Sequence, residues 1–258
     1  MSDTVLRALV ALPFGLVLGS FMSVVVARMP AQESVVTPRS RCPQCKAEIR
    51  SRDNIPVISW LLLRGKCHNC GHKISVEYPL TEAATAALFV GAAMVYPSVW
   101  VAVLVGLLLV MMPAIALIDI RHRIIPNRLT YPSLIFFPAF VVLAWLFHAP
   151  VDPLRAFEGL AIYGGGLFIV AVLSRGMGMG DVKLAGVIGA ALGAIGLRYV
   201  GVAAGAGILF GGLMGILALV MGRDRKSAIP FGPSMAAGAV VAAFWGDRLA
   251  ETYLKLYH

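Results

Sequence analysis

Long apolar segments recur from one end of this 258-residue chain to the other, and they limit its fold more than any other feature. Hydrophobic residues make up 59% of the chain, and charged residues make up 14%, against roughly 25% in a soluble domain. The mean hydropathy is +0.83. Because a single soluble core cannot enclose so many apolar runs, the sequence predicts an all-α polytopic membrane protein.

About eight transmembrane helices are predicted, the second, sixth and eighth of them short. The first is kept as a permanent anchor, because its apolar run is longer than that of a signal peptide and no clear cleavage site precedes Arg28. The chain then divides into a first transmembrane helix (1–27), a loop domain (28–80) and a membrane core (81–258). The predicted spans are 5–27, 82–96, 99–118, 129–147, 156–173, 182–197, 199–221 and 234–245.

Basic residues set the predicted orientation, because cytoplasmic loops carry an excess of Lys and Arg. The loop between the first two spans holds many of them, namely Arg28, Arg39, Arg41, Lys46, Arg50, Arg52, Arg64, Lys66 and Lys73. This loop is therefore placed in the cytoplasm, and eight spans then put both termini in the periplasm. The surplus positive charge indicates topology and contact with anionic membrane lipid. No nucleic-acid partner is expected, because no aromatic platform lies among these dispersed charges.

Four cysteines lie in this loop as two C-x2-C pairs, Cys42 with Cys45 and Cys67 with Cys70. Two such turns complete a four-sulfur zinc site, and Gly71 suits the bend after the last cysteine. Disulfides or unligated thiols are the alternatives, but cytoplasmic thiols are kept reduced and paired C-x2-C spacing is typical of metal sites. A closed site has no open position for water, so the predicted zinc is structural.

Other features of the loop support two similar zinc knuckles. An isoleucine follows the second cysteine of each pair by four positions, at Ile49 and Ile74. His68 and His72 are expected to face solvent, since four cysteines already complete the site. A short apolar run around Trp60 is predicted to lie at the bilayer interface or to pack under the zinc module.

Acidic residues are scarce in the apolar segments after residue 80, where only Glu82, Asp119, Glu158 and Asp181 occur. Ionisable groups at such positions are costly, so a functional role is the default hypothesis. Asp119 closes the third predicted span and Asp181 opens the sixth, so the topology puts both at cytoplasmic helix ends. Glu82 is expected to begin a helix, where the macrodipole alone favours a carboxylate, and Glu158 falls on the opposite side.

Paired carboxylates have a chemical use that a single one lacks. Two within a few ångströms of each other cannot both ionise easily, so one can activate water while the other protonates a leaving amine. Gly176, Gly178 and Gly180 precede Asp181 and are expected to permit positive φ angles and close approach of an extended substrate.

Structural roles for these charged residues stay open on spacing alone. Asp181 is equally suited to cap a helix, and Asp119 to pair with Arg121 or Arg123. Lys183 is assigned to an interaction with either carboxylate or with lipid phosphate.

Glycine-rich motifs crowd the last third of the chain, at 189–193, 201–205 and 211–215. Small residues four apart let helices approach closely, so packing is expected for most of them. The motif IPFGPS at 229–234 is either a rigid turn or a wall of the active site.

Taken together, the motifs resemble those of the bacterial type IV prepilin leader peptidases, which belong with the membrane-embedded GxGD aspartic proteases. Five blocks in this order carry the resemblance: GLVLGSFMSVVVARMP, the whole cysteine loop from RCPQC to YPLTE, ALIDIRHRIIPNRLT, GMGMGDVKLAGVIGAALG and IPFGPSMAAGA. The family's usual asparagine after GSF-Leu is replaced here, where Met22 and Ser23 follow the phenylalanine. A substrate contact through an amide at that position is therefore not expected.

The resemblance implies that Asp119 and Asp181 are the catalytic pair, with Asp181 in the GxGD signature that Gly178, Met179 and Gly180 begin. Gly178, Gly180 and Lys183 are assigned to shape the site or bind substrate. It implies cleavage of type IV prepilins and of pilin-like secretion subunits at the cytoplasmic face, after the glycine that ends a short basic leader. It also implies methylation of the new N-terminus with S-adenosylmethionine, which the intact cysteine loop favours. No G-x-G-x-x-G turn follows a soluble strand, so the methyl donor's site is left unassigned.

Three alternatives are carried forward. The first is a peptidase without methylation activity. The second is a proton-coupled or cation-coupled transporter that uses the two aspartates, although such sites belong near the bilayer midplane. The third is a non-enzymatic assembly protein that docks through the zinc module. The oligomeric state, and which aspartate is the acid and which the base, are not assigned.

Overall fold

The helices account for nearly all regular structure in the computed structural model, which describes residues 2–174, 177–222 and 230–255. Within those ranges the only β structure is two isolated antiparallel bridges. The helices are α1 (Asp3–Arg28), α2 (Ile58–Leu62), α3 (Glu77–Val95), α4 (Val99–His122), α5 (Asn127–Leu146), α6 (Pro153–Gly159), α7 (Gly166–Ser174), α8 (Met179–Gly193), α9 (Leu197–Val220) and α10 (Gly232–Lys255). The all-helical prediction is confirmed, and a helix stands at each of the eight predicted spans.

Six helical segments of the described chain are long and apolar enough to cross a membrane. They are α1, α3, α4, α5, α9 and the continuous segment Pro153–Ser174, in which a π-helical stretch (Leu160–Gly165) joins α6 to α7. Helix α8, with 15 residues, and helix α10 are not among the six. A count of eight crossings therefore stays a prediction.

Helices α4 and α8 form the centre of the bundle. The side chains of Leu104, Leu108 and Ile115 on α4 are fully buried. Helix α8 is buried on nearly all sides, since every residue from 184 to 193 is buried. Such a helix, apolar all round, belongs in the middle of a bundle. Its first turn therefore opens at the end of the core where α4 finishes.

Glycines let α8 approach α6 closely. A Cβ atom added at Gly193 would lie 2.5 Å from the carbonyl oxygen of Arg155, and one at Gly159 would collide with the carbonyl of Gly189. The packing prediction for the 189–193 motif is therefore confirmed. For the 201–205 motif it is wrong, because a Cβ at Gly201 or Gly205 would meet no atom within 4 Å.

Apolar side chains also cover the outside of the bundle. Leu209, Leu213 and Val220 on α9 are 73%, 63% and 80% exposed. A soluble domain of this size does not expose so much contiguous apolar surface. This belt is the surface that membrane lipid would cover.

Helices α1 and α3 pair along a second close contact. A Cβ at Gly19 would lie 2.7 Å from the carbonyl oxygen of Glu82. Helix α3 begins at Glu77, so the expectation that Glu82 begins a helix is wrong: residues 77–81 already form its first turn. Glu82 faces the cysteine module, the name used here for residues 28–80. The end of the bundle that carries this module is called the module end.

Candidate aspartate site and cysteine cluster

Asp119 lies in the last turn of α4 and is only 5% exposed. Helix α4 ends there because Arg123 takes a left-handed conformation and its amide bonds to the Asp119 carbonyl at 2.9 Å. The Oδ2 atom of Asp119 accepts a hydrogen bond of 2.8 Å from the backbone amide of Gly232. Gly232 is the first residue of α10, so this amide has no partner within its own helix.

Only glycine fits at position 232. A Cβ atom there would lie 2.7 Å from Oδ2 of Asp119 and 3.1 Å from its Cβ. The positive end of the α10 dipole also points towards the carboxylate, which favours its charged form. The start of α10 therefore forms one wall of the site.

Asp181 lies in the first turn of α8 and is half-buried. Its amide donates to the carbonyl of Gly178 at 3.1 Å. A Cβ at Gly180 would lie 3.0 Å from the Cβ of Ile125, so the missing side chain brings the start of α8 against the segment that follows α4. A Cβ at Gly178 would lie 3.5 Å from Oδ2 of Asp181, in ordinary contact.

The expected positive φ angles are not found at these glycines. Gly178 has φ −74° and ψ 141°, an extended conformation that any residue adopts, and Gly180 lies within the helix. Gly176 lies outside the described residues. Small size, and not unusual backbone conformation, is what Gly180 contributes.

The fold places Asp119 within electrostatic range of Asp181. Neither forms an ion pair with a described Lys or Arg side chain, and Arg121 pairs with Glu77 instead. Gly178 is the N-cap residue of α8, and no side chain caps that helix. The geometry therefore favours neither the ion pair considered for Asp119 nor the capping role considered for Asp181.

Lys183 lies one turn after the start of α8 and faces α5. Its Nζ atom donates to Oδ1 of Asn127 and lies 4.6 Å from the centre of the Tyr131 ring. The ammonium group is thus held by α5 and not by either aspartate. These contacts link α8 to α5.

Two residues near the aspartates were missed as site residues by sequence reasoning. Gly232 was only part of the IPFGPS motif, whose first residue lies outside the described part of the chain. Tyr163 lies in the π-helical stretch, buried and within electrostatic range of Asp181. Gly232 could have been identified from its place between two prolines before an apolar segment. Nothing in the sequence distinguished Tyr163 from the other tyrosines.

The four cysteine sulfurs form one cluster at the module end. Their Sγ atoms all lie within 4.8 Å of one another, and those of Cys42 and Cys70 are 3.8 Å apart. Four Zn–S bonds of about 2.3 Å in a tetrahedron place sulfurs roughly 3.8 Å apart, whereas a disulfide joins them at about 2.05 Å. All four thiols are free. The cluster therefore has the spacing of a four-thiolate metal site.

The two knuckles, residues 40–49 and 65–74, repeat each other with an offset of 25 positions. The backbone amide of Cys42 donates to the Ala47 carbonyl at 3.0 Å, and that of Cys67 donates to the His72 carbonyl at 2.8 Å. The isoleucine amides close the turns in the same way, since those at 49 and 74 bond to the carbonyls at 40 and 65. The predicted similarity of the two halves is confirmed.

The bend after the second cysteine also matches between knuckles. Gly71 has φ +69°, as its predicted bend requires, and Lys46 adopts φ +59° at the equivalent position. His68 and His72 are both exposed and lie outside the four-sulfur cluster, as expected.

Thiolate is the form that binds metal, and the module's backbone favours it at one position. The pKa of Cys42 is lowered to about 6, first by a hydrogen bond from the Cys45 backbone and despite burial. The pKa of Cys70 is raised to about 11: the His72 backbone opposes the shift, but burial and the other three sulfurs outweigh it. A cation among the sulfurs would relieve that crowding of negative charge.

The apolar run around Trp60 both packs on the cysteine module and exposes apolar side chains that could lie at the bilayer interface. The Nε1 atom of Trp60, on α2, donates to the Ile74 carbonyl at 3.1 Å, so the indole packs on the second knuckle. Leu61 and Leu62 are 61% and 77% exposed. These two leucines are available to the bilayer interface.

Comparisons with known proteins agree with this architecture. Residues 13–96 match the Bacterial Peptidase A24 N-terminal domain, and residues 103–223 match the Type IV leader peptidase family. A Prepilin leader peptidase/N-methyltransferase of Bacillus subtilis is 36% identical, covering 94% of this chain and 96% of its own length. Proteins of the same name from Aeromonas hydrophila and Pseudomonas aeruginosa are 32% and 33% identical, each covering 93% of this chain and 91% of its own length. No solved structure matches the chain.

Proposed function

Because this chain belongs to the type IV leader peptidase family, we propose that it cleaves prepilin leaders with Asp119 and Asp181 and then methylates the new N-terminus. It is a membrane aspartic peptidase with methyltransferase activity. The observation that supports the peptidase mechanism is that Asp119 on α4 lies within electrostatic range of Asp181 on α8 at one end of a buried core, with no cationic partner among the described side chains.

The proposed reaction is a hydrolysis shared between the two carboxyl groups. The charged aspartate takes a proton from water as the water oxygen attacks the carbonyl carbon of the scissile peptide bond. The uncharged aspartate gives its proton to the amide nitrogen, and the C–N bond breaks. The products are a carboxylate on the leader and a free amine on the mature pilin, and the dyad again holds one proton.

The substrate's shape fits the position of the site. A prepilin has a short basic leader followed by an apolar helix, so its cleavage point lies at the membrane surface. The aspartates lie at helix ends, at the same end of the bundle as the basic cysteine module. We assign that end to the cytoplasm, with both termini on the opposite side and anionic lipid retaining the leader. Pilin-like subunits of secretion systems have the same design and are included as substrates.

Zinc is the metal that the cysteine cluster suits best. Four thiolates at tetrahedral spacing favour zinc, and a closed set of four ligands makes the ion structural. The ion would hold the two knuckles together in a loop with few buried apolar side chains. The proposed units are therefore the first helix (1–27), the zinc module (28–80) and the peptidase core (81–258).

Mass spectrometry of a purified prepilin after incubation with the detergent-solubilised protein tests the assignment. We expect the leader's mass to be lost without any addition, and about 14 Da more to appear on the mature chain when S-adenosylmethionine is present. Cleavage without the added methyl mass would show that the protein is a peptidase without methyltransferase activity. An intact prepilin under both conditions would refute the enzyme assignment and favour the transporter or docking alternatives.

A further inference from the structure

A cavity of about 500 Å³ lies between the cysteine module and the module ends of α1 and α3. Both knuckles contribute to its lining, as do Ser20 and Ser23 from α1 and Glu82 from α3. Its volume falls within the roughly 300–1,000 Å³ typical of small-molecule sites. The peptidase mechanism makes no use of it.

Glu82 is the unusual group in this lining. Its half-buried carboxylate accepts a hydrogen bond of 2.8 Å from the Val57 amide and a second from the Ser20 hydroxyl. No described Lys or Arg side chain lies within 4.0 Å of it. A half-buried negative charge without a cation is costly, and a bound cationic ligand would offset that cost.

The other acids in the lining already have basic neighbours. Glu48 pairs with Arg39 at 3.2 Å, Asp53 lies 4.0 Å from Arg52, and Glu77 pairs with Arg121. Glu82 is therefore the acid of this cavity whose charge is left for a ligand to neutralise.

The remaining lining favours a small zwitterionic ligand with an aromatic part. Trp60 offers an indole surface, and Asn54 and Asn69 offer amides for a heterocycle. The exposed side chains of Arg41 and Lys73 border the cavity and suit a carboxylate.

We propose, on the basis of the proposed function, that this cavity binds S-adenosylmethionine, with Glu82 facing the sulfonium group and Trp60 against the adenine. When bound, this donor would supply a methyl carbon made electrophilic by the positive sulfur. The cavity lies beside the peptidase site, because Glu77 in its lining pairs with Arg121, two residues after Asp119. The amine released by cleavage would therefore appear at the same end of the bundle as the donor.

Ser23 adds a detail to this assignment. It is buried, its hydroxyl donates to the Gly19 carbonyl at 3.2 Å, and it lines the cavity. Under this proposal, the position at which this chain departs from the family's usual sequence would border the bound methyl donor.

Calorimetric binding to the full-length protein in detergent tests the role of Glu82 without any turnover. The ligands are S-adenosylmethionine, which carries the sulfonium charge, and S-adenosylhomocysteine, which lacks it. For Glu82→Gln we expect affinity for the charged ligand to fall roughly tenfold and affinity for the neutral one to change less than about twofold. The glutamine oxygen can still accept from Val57, so the module stays anchored. The matched control is Glu33→Gln, an exposed acid outside the cavity, which should change neither affinity.

A second measurement does not depend on any variant. Ultraviolet cross-linking of radiolabelled S-adenosylmethionine to the wild-type protein should place the label on peptides that contain residues 20–28 or 40–82, which line the cavity. Label confined to other peptides, equal loss of both ligands in Glu82→Gln, or no binding to wild type would each overturn the proposal. Prepilin cleavage, measured in parallel, separates these outcomes from failure of the peptidase assignment, because cleavage depends on Asp119 and Asp181 and not on the methyl donor.

Discussion

The carboxylate of Asp119 is held by a backbone amide from a residue 113 positions away, and this contact decides what its neighbours can be. The two aspartates themselves were predictable, because carboxylates are rare in apolar segments and both fell at the same predicted depth. Gly232 was not predictable as a partner, since its role arises from the approach of α10 to α4. The residues around Asp119 and around Gly232 do not indicate, in either segment alone, that the two come into contact.

Replacing either aspartate by asparagine, as Asp119→Asn or Asp181→Asn, should abolish prepilin cleavage. The amide keeps the side-chain size but cannot exchange a proton, so we expect a loss of at least about 10³-fold. Cleavage is measured by mass spectrometry, with zinc content as the check that the protein is folded. Asp152→Asn is the matched control, because Asp152 caps α6 by accepting from Leu154 at 2.9 Å and asparagine caps equally well. Full activity in either of the first two variants would refute the dyad.

Gly232→Ala should slow cleavage by about 10²-fold, because the new Cβ displaces Asp119 or removes its hydrogen bond from the Gly232 amide. Initial rates of cleavage measure the effect. Gly212→Ala serves as the control, since a Cβ at Gly212 meets no atom within 4 Å. Equal rates for the two variants would show that the start of α10 has no part in the reaction.

At the scale of helices, hydropathy predicted where the apolar segments lie but not how they pack. Helix α8 was predicted as a short span, and its position at the centre follows from glycines that α6 also supplies. Such complementarity between segments about 30 residues apart is invisible in either segment alone. The same glycine spacing at Gly201 and Gly205 on α9 faces open space, so the motif by itself could not separate buried from exposed helix faces.

Gly159→Ala should destabilise the core without touching the aspartates. The added methyl group collides with the Gly189 carbonyl, so we expect a loss of about 1–3 kcal/mol in unfolding free energy. Thermal unfolding in detergent measures this as a lower Tm. Gly205→Ala should leave Tm unchanged or slightly higher, because its Cβ has open space and alanine favours helix. A Tm for Gly159→Ala equal to that of wild type would contradict the close α6–α8 contact.

The cysteine module should hold about one zinc ion per chain, lost when Cys42 and Cys70 are both changed to serine. Metal content is measured by elemental analysis after dialysis. Bound zinc should be retained at neutral pH and released on acidification, because protons then compete with the metal ion for the thiolates. A module that stays folded and protease-resistant after chelation would contradict a structural ion.

For the whole molecule, charge and hydropathy predicted one end of the bundle as basic and functional. The structure places the cysteine module, the C-terminus of α4 and the start of α8 together, and the Glu77–Arg121 ion pair ties α3, where the module ends, to α4. At the opposite end, Asp247 accepts from the Tyr199 hydroxyl at 2.6 Å and pairs with Arg198. Hydropathy does not fix the number of membrane crossings. Helix α8 lies at the centre of the bundle, but its 15 residues are too few for it to be identified as a spanning helix by length.

Fusion reporters test the proposed topology. A phosphatase that works only outside the cytoplasm should be active when fused after residue 255 and inactive when inserted at Val36, an exposed position in the module. A fluorescent protein that folds only in the cytoplasm should give the reverse pattern. Equal phosphatase activity at both positions would contradict the odd number of crossings that eight spans place between the module and the C-terminus. Activity at Val36 alone would show that the orientation is inverted.

The 25-residue repeat within the cysteine module means that the two halves of the sulfur cluster are built alike. Each half contributes a similar hairpin and two sulfurs, so the two halves are equivalent as sources of ligands whichever comes first along the chain. If the sequences of 40–49 and 65–74 were exchanged, the module would keep its four cysteines. Trp60 would then pack against the sequence of the first knuckle. The two knuckles are therefore distinguished by their surroundings, since the Trp60 indole packs on the second of them.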